Sequence, residues 1–514
     1  MNNKLNRFKG FVYCVFLFAA VFLMPSLVLA APGNVDNGGK IYKKKCWWCH
    51  GKEGDADGPA ANFLIPPPRN FVDGLYKMKT STPESEIVRD EDMFQMITDG
   101  MSGTGMPAWG GVLTDQERWD LVAFIKTLTD IFEDQPNPPA LNYGGKIASS
   151  PESIEKGKKA FQEAKCFECH GERGKGNTMK KLKEDSGHKL WPRNLTKTWT
   201  FRGGYNAEAI FSRVSNGIPN TPMPSFAAET TGNGKLSEED RWHVANYVLS
   251  LADDRMQVQE GATVVKGIQA KEMPENENDA AWDAVQGTAF YLVPQIIQKD
   301  RFFTPSNDLV LVKAVFNENQ LALLLEWDDR TQSVPGDDTA ASLAFGDLNS
   351  DAVAVQMPVT IPDTSEKPYF GHGDAAHKVN MLYWNSGSVK QTNVSKMLTT
   401  SGTGSKEESD ATAAGFAVSA SYNTGTWKVM MKRNLTTPNI EKDLQIEVGK
   451  YIPIAFANWD GSNGEKGSKH TITTWYWLLL QPETGARVVT YPGAVLLFLV
   501  AGQFLFSAYL KKNG

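Results

Sequence analysis

Cys46-Trp47-Trp48-Cys49-His50 and Cys166-Phe167-Glu168-Cys169-His170 repeat one pattern 120 residues apart. Each is Cys-x-x-Cys-His, the spacing at which two thiols on one helical turn reach the two vinyl groups of a porphyrin. The imidazole that follows then faces the iron. Cys46, Cys49, Cys166 and Cys169 therefore predict two covalent haems c, with His50 and His170 as proximal ligands. A zinc site needs further ligands that the neighbouring sequence lacks, and a redox dithiol needs no following histidine. Of the five cysteines only Cys14 lies outside these motifs, which leaves nothing for a disulfide framework.

The same features follow each motif. About 60 residues on come Gly105-Met106-Pro107-Ala108-Trp109 and Pro222-Met223-Pro224-Ser225-Phe226. Leu113-Thr114-Asp115-Gln116-Glu117 and Leu236-Ser237-Glu238-Glu239-Asp240 then open amphipathic helices, with Thr114 and Ser237 as N-caps. Together these features resemble class I cytochrome c domains, expected at 31–135 and 153–253. The resemblance implies that Met106 and Met223 are the sixth iron ligands. Both precede proline and the closing helix, unlike Met78, Met93, Met96 and Met101. Pro68-Arg69-Asn70 and Pro192-Arg193-Asn194 also match, and the resemblance implies a proline carbonyl thereabouts that hydrogen-bonds the proximal histidine. His/Met ligation fills both axial positions and raises the reduction potential, which suits electron transfer rather than substrate binding.

After an acidic linker around 261–278 the pattern changes to short β-branched and aromatic runs between Gly, Asn, Asp and Ser turns. Leu309–Phe316 and Gln320–Trp327 read as a hairpin about Asn317-Glu318-Asn319. Further strands are expected near Asp351–Met357, Met381–Trp384, Trp427–Lys432, Tyr451–Trp459 and Thr473–Leu480, which suggests a β-sandwich over 279–481. The segments Leu325-Glu326-Trp327-Asp328-Asp329, Asp351 to Pro358 and Ala457-Asn458-Trp459-Asp460-Gly461 resemble the ethylbenzene dehydrogenase haem-b family. These are gamma subunits of molybdenum enzymes related to DMSO reductase, including nitrite-oxidising systems. The resemblance implies one non-covalent haem b between a methionine and a lysine. Lys469 takes the place of the lysine. His372 stands where the methionine tends to fall, with Met357 and Met381 as rivals and His377 and His470 behind them.

The ends of the chain bear on location. Lys4, Arg7 and Lys9 precede an apolar run ending in Val28-Leu29-Ala30, the order of a cleaved export signal over 1–30. Tyr491–Leu510 carries no charge and is followed by Lys511 and Lys512, the pattern of a transmembrane helix with its C-terminus in the cytoplasm. The expected fold class is thus multidomain: two all-α cytochrome c domains, one all-β sandwich and one C-terminal transmembrane helix at 491–510. The expected location is the periplasmic side of the cytoplasmic membrane, with lipid contact through that helix.

At 514 residues the chain is too long for one core, and 53 basic against 59 acidic residues, net −6 with no basic block, argue against a nucleic-acid partner. No nucleophile triad, phosphate-cradling loop or iron-sulfur cysteine cluster is present. Substrate chemistry is therefore expected in catalytic molybdoenzyme and iron-sulfur subunits, with a soluble cytochrome or quinone-linked carrier as the other redox partner. Two alternatives are a dihaem peroxidase and a dihaem cytochrome with a carbohydrate-binding sandwich that uses Trp327, Trp384, Trp459, Trp475 and Trp477.

Overall fold

The computed structural model describes residues 33–513 except 65, 186, 188–189, 228–234, 302–304, 364–365, 403 and 483–486. The export signal expected over 1–30, and His188, lie outside the described residues. The chain forms two compact units: Met1–Asn62 with Pro67–Tyr76 and Ile87–Pro138, and Phe63–Pro66 with Lys77–Glu86 and Pro139–Gly514.

The first unit is helical. α1 (Val35–Lys45) runs into α2 (Trp47–His50), the single turn of the attachment motif, and α3 (Asp90–Asp99) and α4 (Asp115–Lys126) follow. The Thr114 side chain accepts from Glu117 N–H while the Glu117 carboxylate accepts from Thr114 N–H, a reciprocal cap of about 1 kcal/mol. At Gly38, α1 meets α4 so closely that a Cβ would stand 2.0 Å from the Asp120 carbonyl oxygen. Tyr42, Met93, Leu121 and Val122 fill the core behind that crossing.

The second unit repeats this plan with α5 (Pro151–Glu163), α6 (Phe167–His170), α7 (Ala207–Asn216) and α8 (Glu238–Ser250). Ser237 caps α8 by accepting from Asp240 N–H, and a Cβ on Gly157 would stand 2.0 Å from the His243 carbonyl oxygen. Phe161, Phe211 and Trp242 form its core.

The strands follow as β1 (Val264–Gln269), β2 (Thr288–Tyr291), β3 (Val293–Pro294), β4 (Leu309–Phe316) and β5 (Gln320–Asp328). A short helix, α9 (Asp338–Leu343), precedes β6 (Ala352–Pro358), β7 (Val379–Ser388), β8 (Gln391–Thr400), β9 (Glu407–Glu408) and β10 (Ala417–Tyr422). β11 (Thr426–Asn434), β12 (Tyr451–Trp459), β13 (Thr471–Ile472) and β14 (Tyr476–Gln481) complete the set. The expected hairpin forms, with Phe316 opposite Leu321 and Asn317 Oδ1 accepting from the Asn319 and Gln320 N–H groups.

The expected two-sheet sandwich is corrected: the fourteen strands make one continuous sheet, ordered β10-β11-β5-β4-β1-β14-β12-β6-β7-β8-β9 along its main path. The cause is β12, which changes partner midway. Tyr451–Ile454 pair with β14, and Ala455–Trp459 pair with β6, so one strand joins what would otherwise be separate layers. The sheet curls until β8 and β10 approach each other, and its inner side closes on Phe290, Leu323, Trp327, Val355, Trp384 and Phe456. β1 and β14, the first and last strands, lie side by side and parallel, with Val264 opposite Trp477 and Ile268 opposite Gln481.

The C-terminal segment forms α10 (Arg487–Asn513). The transmembrane helix expected over 491–510 is also corrected: among the described residues no helix is long and apolar enough to cross a membrane. The expected single-pass placement, with the bulk on the periplasmic side and the C-terminus in the cytoplasm, falls with it.

Candidate functional site: two duplicated haem c motifs and the β-sheet domain

The attachment turn is built alike in both halves. His50 N–H donates to the Cys46 carbonyl (3.1 Å) and His170 N–H to the Cys166 carbonyl (2.9 Å), so each thiol pair and its imidazole share one turn. Burial pushes the Cys46 and Cys166 thiols up to about 12, which favours the neutral form that a thioether also presents. His50 Nδ1 lies 2.9 Å from the Arg69 carbonyl oxygen, and His170 Nδ1 lies 3.0 Å from that of Arg193. A carbonyl only accepts, so each Nδ1 carries the proton and each Nε2 keeps a lone pair for iron. Burial lowers both imidazoles below their ordinary value, which keeps that lone pair free. The ring of His50 is held against Phe71, centroids 4.4 Å apart. The acceptor is thus the arginine carbonyl, one residue past the expected proline: Pro68 and Pro192 set the turn and the next carbonyl makes the bond.

The methionine loops match bond for bond. Met101 N–H donates to the Met106 carbonyl (3.1 Å) as Ile218 N–H does to that of Met223 (3.0 Å). Thr104 Oγ1 donates to the Met101 carbonyl (2.8 Å) and Thr221 Oγ1 to that of Ile218 (2.7 Å), and the two hydroxyls accept from Met106 and Met223 N–H. Met101 therefore occupies the position of Ile218, a residue with no donor atom. Gly100 and Gly217 open the loops at φ +64° and +66°, where a Cβ would stand 2.5 and 2.6 Å from Pro107 and Pro224 carbons.

In the β domain the expected ligands are dispersed. Met357 is fully buried among the inner-side core residues, with Val355 and Trp384. Alternation along β7 puts Leu382 and Trp384 inside and Met381 on the outer face, where it is 6% exposed. His377 is paired with Asp374. Lys469 is exposed on the turn between β12 and β13, while its neighbour His470 is buried. His372 sits at φ +74° with a buried Nδ1 that has no hydrogen-bond partner. In the second cytochrome domain, His243 is a buried packing residue, its Nδ1 2.8 Å from Ser153 Oγ.

Two features escaped the sequence reading. The three segments that carry the haem-b resemblance each bring one aspartate to a single buried cluster, Asp329, Asp351 and Asp460, with carboxylate oxygens within 4.8 Å of one another. Burial and the Asp460 charge push Asp351 up to about 8, and it accepts from Ser333 N–H, Trp427 Nε1–H and Gly461 N–H. Second, the His170 loop is fastened to the sheet. Asp328 accepts from Lys175 Nζ (2.9 Å) and Asn194 Nδ2 (2.8 Å), with Lys197 Nζ at 3.6 Å. Trp191 stacks on Phe345 with centroids 5.2 Å apart, and Phe345 N–H donates to the Ser462 carbonyl (2.6 Å).

Residues 33–125 match the family described as cytochrome c oxidase, cbb3-type, subunit III; residues 154–252 match cytochrome c; residues 390–471 match ethylbenzene dehydrogenase. A respiratory nitrate reductase heme subunit, ORF7, of Haloferax mediterranei is 23% identical over 256 residues, 49% of this chain and 85% of its own length. The chlorate reductase subunit gamma of Ideonella dechloratans is 28% identical over 177 residues, 34% of this chain and 66% of its own. A solved chain from the Kuenenia stuttgartiensis reducing HAO-like protein complex is 33% identical, with 44% of this chain and 100% of that one covered and a TM-score of 0.40. The chain is composed of two cytochrome c domains followed by a domain of the ethylbenzene dehydrogenase family, and its homologues are heme and gamma subunits of nitrate and chlorate reductases.

Proposed function

We propose that this chain is the electron-transfer subunit of a respiratory oxidoreductase complex, carrying electrons between a molybdenum and iron-sulfur catalytic partner and a soluble or quinone-linked carrier. Its cofactors in this reading are two haems c, on Cys46/Cys49 and Cys166/Cys169, and one haem b in the sheet domain. When bound, each haem supplies a reversible one-electron step. The observation that supports the reading is the duplicated geometry: His50 and His170, each held in one tautomer by an arginine carbonyl, and the matched loops that carry Met106 and Met223. Met106 and Met223 would hold the iron opposite His50 and His170, and a haem so held would lack the open position a peroxidase needs.

The fastened loop supports a direction of contact. Arg193, whose carbonyl orients His170, is two residues from Trp191, and Trp191 meets the sheet at Phe345. Of the five tryptophans of the carbohydrate alternative, Trp327 and Trp384 are fully buried and Trp475 nearly so, which leaves Trp459, stacked on His470, and Trp477 half-buried. Pyridine haemochrome analysis of the purified chain tests the reading, with two c and one b expected. Co-purification should bring down molybdenum and iron-sulfur subunits. A chain carrying both c haems but isolated without redox partners, and unable to exchange electrons with any, would refute it.

A further inference from the structure

The haem b reading leaves its axial ligands open, and sequence places Lys469 first among them. The structure holds Lys469 on an exposed turn, its backbone N–H donating to the Lys466 carbonyl (3.0 Å). The next residue has the features of a ligand. His470 is 5% exposed, its ring lies against Trp459 with centroids 4.6 Å apart, and its Nδ1 is 2.9 Å from the Gly467 carbonyl oxygen. That carbonyl fixes the proton on Nδ1 and leaves the Nε2 lone pair free, the same device that prepares His50 and His170.

A second imidazole bears on the same space. Gln356, which follows Ala352 and Ala354 along the outer face of β6, donates through Nε2 to the Phe370 carbonyl (3.1 Å), and this brings the loop that carries His372 to that face. The left-handed backbone of His372 is fixed through its carbonyl, which accepts from Gly402 N–H (2.8 Å) and Thr400 Oγ1 (2.9 Å). Its Nδ1 is buried and unpartnered, a condition that a bound metal ion relieves. His470 continues the outer face of β6 and β12, where Ala352, Ala354, Ala455 and Ala457 present only methyl groups beside it. The loop before it also carries Ser462, the acceptor from Phe345, which joins this site to the Trp191 contact.

We infer that His470, not Lys469, is an axial ligand of the haem b, with His372 as the opposite ligand. The inference rests on the proposed haem b and deepens it.

The test uses the full chain loaded with its haems. Lys469→Ala should keep the wild-type ratio of b to c haem and an unchanged low-spin ferric spectrum by EPR and near-infrared magnetic circular dichroism, with the signature of two imidazoles. His470→Gly and His372→Gly should each lose about tenfold or more of the b haem while retaining both c haems, and millimolar imidazole should restore it. Restoration by imidazole reports that the sheet domain of each variant is folded. Loss of b haem in Lys469→Ala, or amine or thioether ligation in the b-haem component of the wild-type spectrum, would overturn the assignment while leaving haem b in place. A wild-type chain with c haems alone would instead overturn the haem b reading itself, and the ligands with it.

Discussion

Replacing Asp328 with asparagine keeps the shape of the side chain and removes the charge that holds the second cytochrome domain to the sheet. The carboxylate is 6% exposed and Lys175, 2.9 Å away, 13%. Lys197 stands 3.6 Å off on the other oxygen. Removing one partner of a buried pair costs about 3–5 kcal/mol, because the remaining charge is stranded without water. Lys197 retains Asp308 at 3.1 Å, so the loss falls on Lys175 and lies at the low end, about 3 kcal/mol. In a unit of this size that is a fall of roughly 5 °C in melting temperature. The pH dependence is a second signature. Burial alone would raise the Asp328 carboxyl, but Lys197 and Lys175 outweigh it and hold it below 3.8. A carboxylate held down contributes stability above its unfolded pKa and loses it as pH falls through the folded one. The gap between wild type and Asp328→Asn should therefore be full at pH 7 and close on acidification below the ordinary carboxylate range. Urea unfolding followed at the haem Soret band across that range measures it. A gap under about 1 kcal/mol at pH 7, or one that widens with acid, refutes the reasoning.

Met106→Ala and Met223→Ala should each keep the haem covalently bound, abolish the methionine-to-iron absorption band and lower that haem's potential, whereas Met101→Ala should leave both unchanged; absorption spectra and redox titration decide. Gly157→Ala should destabilise the second cytochrome domain by about 3 kcal/mol, since its Cβ meets the His243 carbonyl at 2.0 Å; a thermal melt unchanged within 1 °C contradicts the crossing. Gly217→Ala should compromise the Met223 loop through both strain and contact with Pro224, and would appear as partial high-spin haem in the oxidised spectrum.

The cytochrome halves were legible because their chemistry is local. Five consecutive residues define the attachment turn, and the duplication gives each half a control: Met101, a rival of Met106, holds the loop position that Ile218, with no donor atom, holds in the second half. The acceptor for the proximal histidine was misplaced by one residue, from Pro68 to Arg69, because composition marks the turn and not which carbonyl faces the ring. In the sheet, strands were legible as runs, but their closure was not. Nothing in Tyr451-Ile452-Pro453-Ile454-Ala455 announces that pairing passes from β14 to β6 within the strand. Ligand choice in that domain suffers most, since Lys469 and His470 are neighbours in sequence, yet one is exposed and the other buried. The C-terminal run shows the converse limit: its composition predicts a span, yet among the described residues no helix is both long and apolar enough to cross a membrane.

The parallel pairing of β1 with β14 gives the sheet domain a polarity. Because the two strands run the same way, the chain enters at Val264 from one pole and leaves at Gln481 from the other. Six residues of strand separate these poles, about 20 Å. Two antiparallel end strands would have brought entry and exit together and made the domain an insertable loop. Here it is a through-spacer instead. A label or partner fused after Gln481 therefore starts from the end of the strand pair remote from Val264, where the chain arrives from the second cytochrome domain.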